Sequence, residues 1–431
     1  MTRGWRALRH RNYRLFFVGQ LVSLVGTWMQ TVAQSWLVLQ LTHDPFMLGV
    51  VAAAQFIPVM IFGLFGGLIA DQWPKRRTLI ATQTSAMVLA FALFVLTATH
   101  TVQVWHILVL AVLLGITNAV DMPTRQAFAV EMVGRDDISN AVALNSAVFN
   151  GARVVGPAVA GLAIAAFDIS IAFLLNGLSF MAVIAAYAVM RPEELRKPPA
   201  VNRPRTVSAV VENLAEGLRY VRRTPLVLLP TLVILSVATF GMNFTVLVPA
   251  LTEGVLHSDA AGYGFLMAAS GIGSLVAALG IAFSGRNRPL AMGLGAIVLG
   301  VAEIVVAGSS AFAVTMIAML FVGLGGIAMA ATANTTIQLT VPDALRGRVM
   351  SVYTTVFAGS TPIGGLLMGF IAARFGVAEA FALGGIVCLF VGVGAIAWLR
   401  RIRATDHIRT RLTSAGAVAA AESSLTAARP R

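Results

Sequence analysis

Hydrophobic residues run in long blocks along this chain, and charged residues gather in the intervals between them. Twelve blocks reach the roughly 20 residues that an α-helix needs to cross a ~30 Å hydrocarbon core. They predict helices over 14–40, 46–70, 78–99, 104–126, 141–166 and 170–190. A second set follows over 226–251, 261–284, 289–308, 311–340, 349–373 and 379–399. The long interruptions are 191–225 and the tail after Leu399.

Twelve crossings put both termini on one side of a membrane, and the basic residues say which. Of 31 basic residues, 29 lie in the terminal segments or in alternate connections, among them Lys75, Arg76, Arg77, Arg125, Arg135, Arg346 and Arg348. The opposite connections hold only Arg374, and Arg153 falls inside a predicted helix. Positive loops stay inside, so both termini are expected to be cytoplasmic, in a bacterial inner membrane. The apolar stretch behind Arg3–Arg14 is longer than a signal-peptide core and lacks a small-residue cleavage pattern, so it reads as a retained first helix.

The pattern divides the chain into a six-helix bundle over 1–190, a cytoplasmic linker over 191–225, a second bundle over 226–400 and a basic cytoplasmic tail over 401–431. The tail is expected to lack regular structure. The linker opens with Pro192, Pro198, Pro199 and Pro204, then places Val207, Val211, Leu214, Leu218 and Val221 on one helical face, as for a helix lying at the membrane surface. The halves also echo each other. Val148, Phe149, Gly151, Gly156 and Gly161 recur at one fixed offset as Val356, Phe357, Gly359, Gly364 and Gly369. Such duplication is common in transporters.

Composition narrows the function. The chain is 58% hydrophobic and 11% charged, with mean hydropathy +0.84, against about 25% charged residues in soluble domains. Its main partner is therefore a lipid bilayer. The net charge of +13 is spread over the loops of one membrane side, which argues against nucleic acid as a partner. The single cysteine, Cys388, leaves no disulfide framework or cysteine metal site. His43, His100, His106 and His257 stand singly near the outer side, as loop or helix-end residues. There is no phosphate-binding glycine loop ending in lysine, no paired-histidine metalloprotease helix and no Gly-x-Ser-x-Gly elbow. An enzyme, an ATP-driven pump, a resident cofactor and a metal site are accordingly not expected.

Three polar features sit inside the apolar blocks. Arg153 is followed by only about 20 Å of apolar helix, from Val154 to Ala166, so it lies within the membrane. It is either a structural ion pair or snorkelling residue, or a contact for substrate or for a proton-carrying carboxylate. Glu303 is the one acid deep in a helix of the second half, either an interface-facing glutamate or a proton-coupling one. Polar stripes mark four helices: Ser23, Thr27, Gln30 and Gln34; Thr117 and Asp121; Ser236, Thr239 and Asn243; Thr332, Asn334, Thr335 and Gln338. Interhelical hydrogen bonds or a wet cavity account for such stripes.

Residues 67–77, Gly-Leu-Ile-Ala-Asp-Gln-Trp-Pro-Lys-Arg-Arg, resemble the signature between helices 2 and 3 of the major facilitator superfamily. The match runs through Gly67, Asp71, Lys75 and Arg76, while Gln72 and Pro74 replace the usual arginine and glycine. Residues 152–161 resemble the glycine-proline motif of the superfamily's antiporters, through Gly156, Pro157 and Gly161. Asp121-Met122-Pro123, Arg125-Gln126-Ala127-Phe128 and the run from Asn140 to Ser146 resemble the branch of bacterial siderophore (enterobactin) exporters and drug-efflux proteins. The resemblance implies an all-α membrane protein of two pseudo-symmetric six-helix bundles, monomeric and without cofactor. It implies a secondary active transporter, driven by protons, that exports amphipathic drugs or siderophores by alternating access. An uptake facilitator or symporter, and a non-transporting scaffold or sensor, are the alternatives. Helices 1, 4, 7 and 10 line the family's cavity, which makes Thr27, Gln30, Gln34, Thr117, Thr239, Asn243, Thr335 and Gln338 the expected lining. The family's charge relay would use Gly67, Asp71, Lys75, Arg76 and Asp121, with Asp121 paired to Lys75 or Arg76. Asp121 and Glu303 are the candidates for carrying a proton.

Overall fold

The computed structural model describes residues 3–196, 207–284 and 288–427. For Arg3, Gly4, Leu64, Phe65, Leu68, Ala70, Asp71, 207–210, Ser284 and 403–427 it describes the backbone alone. The first six spans are α1 (Arg11–Thr42), α2 (Pro45–Gln72), α3 (Lys75–Ala98), α4 (Val104–Val133), α5 (Ile138–Ala166) and α6 (Ser170–Val189). The linker contributes α7 (Val207–Arg223). The second half holds α8 (Pro225–Phe240), α9 (Phe244–Gly254), α10 (Ala260–Ser284), α11 (Leu290–Ala307), α12 (Phe312–Thr340), α13 (Asp343–Phe375) and α14 (Val377–Ala427). Twelve of these segments are long and apolar enough to cross a membrane, α8 and α9 together making the seventh.

Several helices start before their apolar runs do: α3 at Lys75, α5 at Ile138 and α13 at Asp343. The run marks what lipid and core require, whereas hydrogen-bonded turns continue into polar residues at no such cost. Two expectations are corrected. The seventh span is one apolar run in the sequence, but its helix breaks at Gly241–Asn243, where Asn243 leaves the helical conformation. The tail also differs from the expected irregular segment, since α14 continues beyond the span to Ala427. Its alanine-rich stretch Ala417–Ala421 has high intrinsic helix propensity, and the next proline is Pro430.

Helices α1 to α6 pack among themselves, α1 against α5 and α6, α4 against α2 and α3. Helices α8 to α14 do likewise, α11 against α12 and α14, α8 against α13. The halves meet mainly along two seams, α2 on α13 and α5 on α10, and α1 and α2 also touch α9. The end of the molecule with the basic connections is hereafter the basic face, the opposite end the far face.

The duplication read from sequence has a geometric counterpart. Gly156 of α5 packs on the Val25 carbonyl of α1, and its repeat mate Gly364 of α13 packs on the Thr239 carbonyl of α8. Gly161 of α5 lies against Ala260 and Ala261 of α10, and its mate Gly369 lies against Pro45 and Phe46 of α2. The exchange is reciprocal as well. Gly264 of α10 abuts the Pro157 carbonyl, and Gly49 of α2 abuts the carbonyl of Gly365, the repeat mate of Pro157. One pseudo-two-fold operation relates both seams.

The seams are tight near the far face. A methyl group on Gly161 would lie 2.9 Å from the Ala260 carbonyl, and one on Gly369 would lie 3.0 Å from that of Pro45. Toward the basic face the same helix sides open. A methyl on Gly63, Gly67 or Gly151 would meet nothing within 4 Å among the described residues. Among the described residues no ion pair joins the halves. The molecule is closed at the far face and open toward the basic one.

Candidate functional site

The charged cluster near the basic face is built by antiparallel register between α3 and α4. Lys75 in the first turn of α3 meets Glu131 near the end of α4, its Nζ 2.8 Å from Oε1. Two turns further in, Thr82 and Gln83 both donate to Oδ1 of Asp121, each at 2.8 Å. Deeper still, Ser85 and Thr117 share a hydrogen bond of 3.1 Å. Asp121 is 1% exposed. Its second oxygen accepts from Arg125 at 2.5 Å, one turn along the same helix. Arg125 also donates to Gln20 of α1, and Gln20 to the Tyr187 hydroxyl of α6. The network therefore ties four helices of the first half.

This corrects the expected pairing of Asp121 with Lys75 or Arg76. Lys75 lies ten residues of α4 away, about 15 Å along the axis, level with Glu131. Arg76 instead donates to the Tyr187 and Ala188 carbonyls at the end of α6, at 2.6 and 2.7 Å. There a cation satisfies acceptors that a helix end leaves open. Gly67 makes no close approach in this arrangement; the tight glycine is its neighbour Gly66, packed on the Ala119 carbonyl of α4. Asp71 falls in the last turn of α2, and its side chain lies outside the described residues.

An N-terminal strap adjoins this cluster. Asp137, which precedes α5, takes His10 at 2.9 Å, Arg9 at 2.8 Å and Arg6 at 3.4 Å. The His10 hydrogen bond, helped by Arg9 and Arg6, holds the Asp137 carboxyl below the usual carboxylate range despite opposing desolvation. The Ala7 amide donates to Asn140, and Asn12 exchanges two hydrogen bonds with the Arg191 backbone.

The polar stripes divide. Gln30 is buried and accepts from Asn176 of α6 at 2.6 Å. Thr239 and Asn243 are buried where α8 meets α13, Asn243 donating back to the Thr239 carbonyl at 2.7 Å. Thr117 turns to α3. These four were expected to line the cavity. Gln30 and Thr117 instead bond to neighbouring helices, whereas Thr239, donating to the Leu235 carbonyl, and Asn243 bond within their own span, as polar groups in an apolar surrounding require. Thr27 and Gln338 are exposed, Gln34 and Thr335 partly so. Gln338 pairs with Asn334 one turn away.

Arg153 is neither an ion pair nor a snorkelling residue reaching a carbonyl. Among the described residues it makes no hydrogen bond or salt bridge, and its guanidinium carbon sits 5.8 Å over the Trp28 ring of α1. Trp28 in turn meets Phe149 edge-on at 5.8 Å. Nothing in the sequence singled out Trp28. Glu303 is 1% exposed on α11, and its Oε2 has no hydrogen-bond partner. It faces Gly384 of α14, which also abuts the Phe240 carbonyl at the break in the seventh span. Among the described residues no cluster of metal-ligating side chains occurs.

Comparison with known proteins agrees with this architecture. Residues 2–421 match the family described as transmembrane secretion effector. The chain is 30% identical over 403 residues to the multidrug efflux pump Tap of Mycolicibacterium fortuitum, spanning 91% of this chain and 96% of that one. It is 26% identical over 386 residues to the staphyloferrin A transporter of Staphylococcus aureus, at 87% and 94% coverage. With the enterobactin exporter EntS of Escherichia coli it shares 22% over 435 residues, at 94% and 96% coverage. Among solved structures, nucleoside transporter NupG superposes with a TM-score of 0.69 at 11% identity, covering 90% of this chain and 99% of that one. A POT family transporter gives 0.70 at 13% identity, covering 91% and 96%. The chain is a secondary transporter of the major facilitator fold and belongs to the transmembrane secretion effector family.

Proposed function

We propose that this transporter exports amphipathic small molecules in exchange for inward-moving protons, with its basic face in the cytoplasm of a bacterial inner membrane. One observation carries the reading. The space between the halves opens toward the face that carries the described basic connections, Lys75, Arg76, Arg346 and Arg348 among them. That is the loading position of an exporter. The names of relatives, a multidrug efflux pump and an enterobactin exporter, point the same way.

Two carboxyls are candidates for the proton, and they differ in kind. Asp121 is saturated by three side-chain donors, so protonation there breaks its bond to Arg125. Glu303 has an oxygen with no donor, near the break in the seventh span, so a proton on that oxygen breaks no hydrogen bond there. Glu303 fits the carrier better, and Asp121 fits a structural and gating role.

The test uses inside-out vesicles, an imposed proton gradient and a panel of amphipathic dyes of either charge. Export predicts gradient-driven uptake of at least one dye, abolished by a protonophore. In Glu303→Gln, uptake down the dye's own gradient persists and the dependence on the proton gradient is lost. Uptake that ignores the gradient in the wild-type protein overturns proton coupling. Accumulation only in right-side-out vesicles overturns export.

A further inference from the structure

We infer that Arg153, Trp28 and Phe149 form a recognition site for the anionic group of the cargo, so that the preferred substrate is an amphipathic carboxylate or similar anion on a flat apolar body. The inference rests on the transport reading above.

Position comes first. At residue 153, α5 gives its backbone to the seam with α10, the Gly271 side of which would approach the Arg153 carbonyl to 2.9 Å if it carried a methyl. The side chain of Arg153 turns toward Trp28 of α1. The residue thus lies where the packing of α5 on α1 meets its seam with the other half. Phe149, one turn nearer the basic face, is 47% exposed, and Gly151 beside it is open. The cluster therefore sits where the open side of the seam begins.

Charge comes second. The ion pairs that α3 and α4 hold are balanced: Asp121 with Arg125 and Lys75 with Glu131. Arg153 has no acidic partner among the described residues. A guanidinium held over an indole face makes no hydrogen bond to it, and its N–H donors match a carboxylate or similar planar anion in two parallel hydrogen bonds. Trp28 and Phe149, edge to face, supply an aromatic wall beside the guanidinium.

The duplication supplies a control. The glycine packing that surrounds Arg153 is repeated in the second half, with Gly364 for Gly156 and Gly369 for Gly161. At the same offset Phe149 is matched by Phe357, but Arg153 is matched by Thr361. Trp28, three residues past the Val25 carbonyl, has its counterpart in Met242, three past that of Thr239. The same packing forms without a cation or an indole, so the architecture does not demand the arginine. A lone intramembrane charge retained in one half only is a feature of binding.

The experiment compares three pyrenyl probes with the same ring, ending in a carboxylate, a primary amide or an ammonium, in the inside-out vesicles described above. The wild-type protein is expected to take up the carboxylate with a KM at least about tenfold below that of the ammonium. Arg153→Gln should raise the carboxylate KM about tenfold while leaving the amide unchanged, and Arg153→Lys should restore part of the loss. Thermal melting of each variant checks that it is folded. An unchanged carboxylate KM in a folded Arg153→Gln protein overturns the inference, and so does equal or better uptake of the ammonium. If the dye panel is transported and no pyrenyl probe is, the inference also fails while export stands. If no dye of any charge moves, the transport reading itself fails.

Discussion

Asp121 shows what a single residue can and cannot disclose. Its intramembrane position and acidity were legible, and its pairing was not. The candidates in sequence were Lys75 and Arg76; the partners in space are Arg125, one turn along the same helix, and Thr82 and Gln83, chosen by the register of two antiparallel helices. Removing one side of a buried pair leaves the other charged and unpaired, at a cost of about 3–5 kcal/mol. Asp121→Ala should therefore lose about that much stability, and Asp121→Asn, which keeps an acceptor for Thr82 and Gln83, should lose less. Unfolding titrations in detergent micelles measure both. A wild-type midpoint for Asp121→Ala would mean that the network does not hold these helices. Gln30, Thr239 and Asn243 teach the same lesson: a helical period shows which side a polar group is on, but not whether that side meets water or another helix.

At the scale of elements, the strap over the α4–α5 connection is the clearest case of structure formed by charge. Arg6, Arg9 and His10 converge on Asp137 from more than 120 residues away in sequence. Because the Asp137 carboxyl is depressed in the folded protein, its contribution is complete above the ordinary carboxylate value of about 3.9. It is lost as pH falls through the lowered folded value. Hydrogen exchange of residues 5–10, corrected for intrinsic rates, should show the strap protected at pH 7. Asp137→Asn should increase exchange there at the same pH. Equal exchange in the variant and the wild type would show the strap to be held by Asn12 and Asn140 instead. Other elements depart from expectation for local reasons. The break at Gly241–Asn243 lies within an unbroken apolar run, so hydropathy is blind to it. Three histidines, His43, His100 and His257, adopt left-handed backbone at helix ends on the far face, a role that glycine more often fills.

For the whole molecule, the two glycine-lined seams decide which face is open. Bulk introduced where the seams close should shift the equilibrium toward the opposite arrangement. A leucine at Gly49 would collide with backbone at Gly365, which cannot move aside as a side chain can. The variant Gly49→Leu, combined with Gly151→Cys as a reporter, should react with a thiol reagent at least about tenfold more slowly than Gly151→Cys alone. That factor corresponds to a bias of about 1.4 kcal/mol. The native Cys388 is fully buried and adds little background. Undiminished labelling of the double variant would show that closure at the far face does not control access at the basic one.

The sequence by itself determined the number of spans, the division into halves, the sidedness of the charges and the repeat that joins the fifth and eleventh spans. These follow from two local quantities: the transfer energy of about 20 consecutive residues into hydrocarbon, and the density of positive charge between them. The family motifs were legible in the same way, as fixed spacings on single helices. Tertiary structure alone decided the partners: Asp121 with Arg125, Lys75 with Glu131, Gln30 with Asn176, and Arg153 over Trp28. It alone decided the helix break, and which face stands open. Pairings of this kind depend on the rotation and axial shift of one helix against another. A shift of a single residue, about 1.5 Å and 100°, leaves hydropathy untouched and replaces every contact.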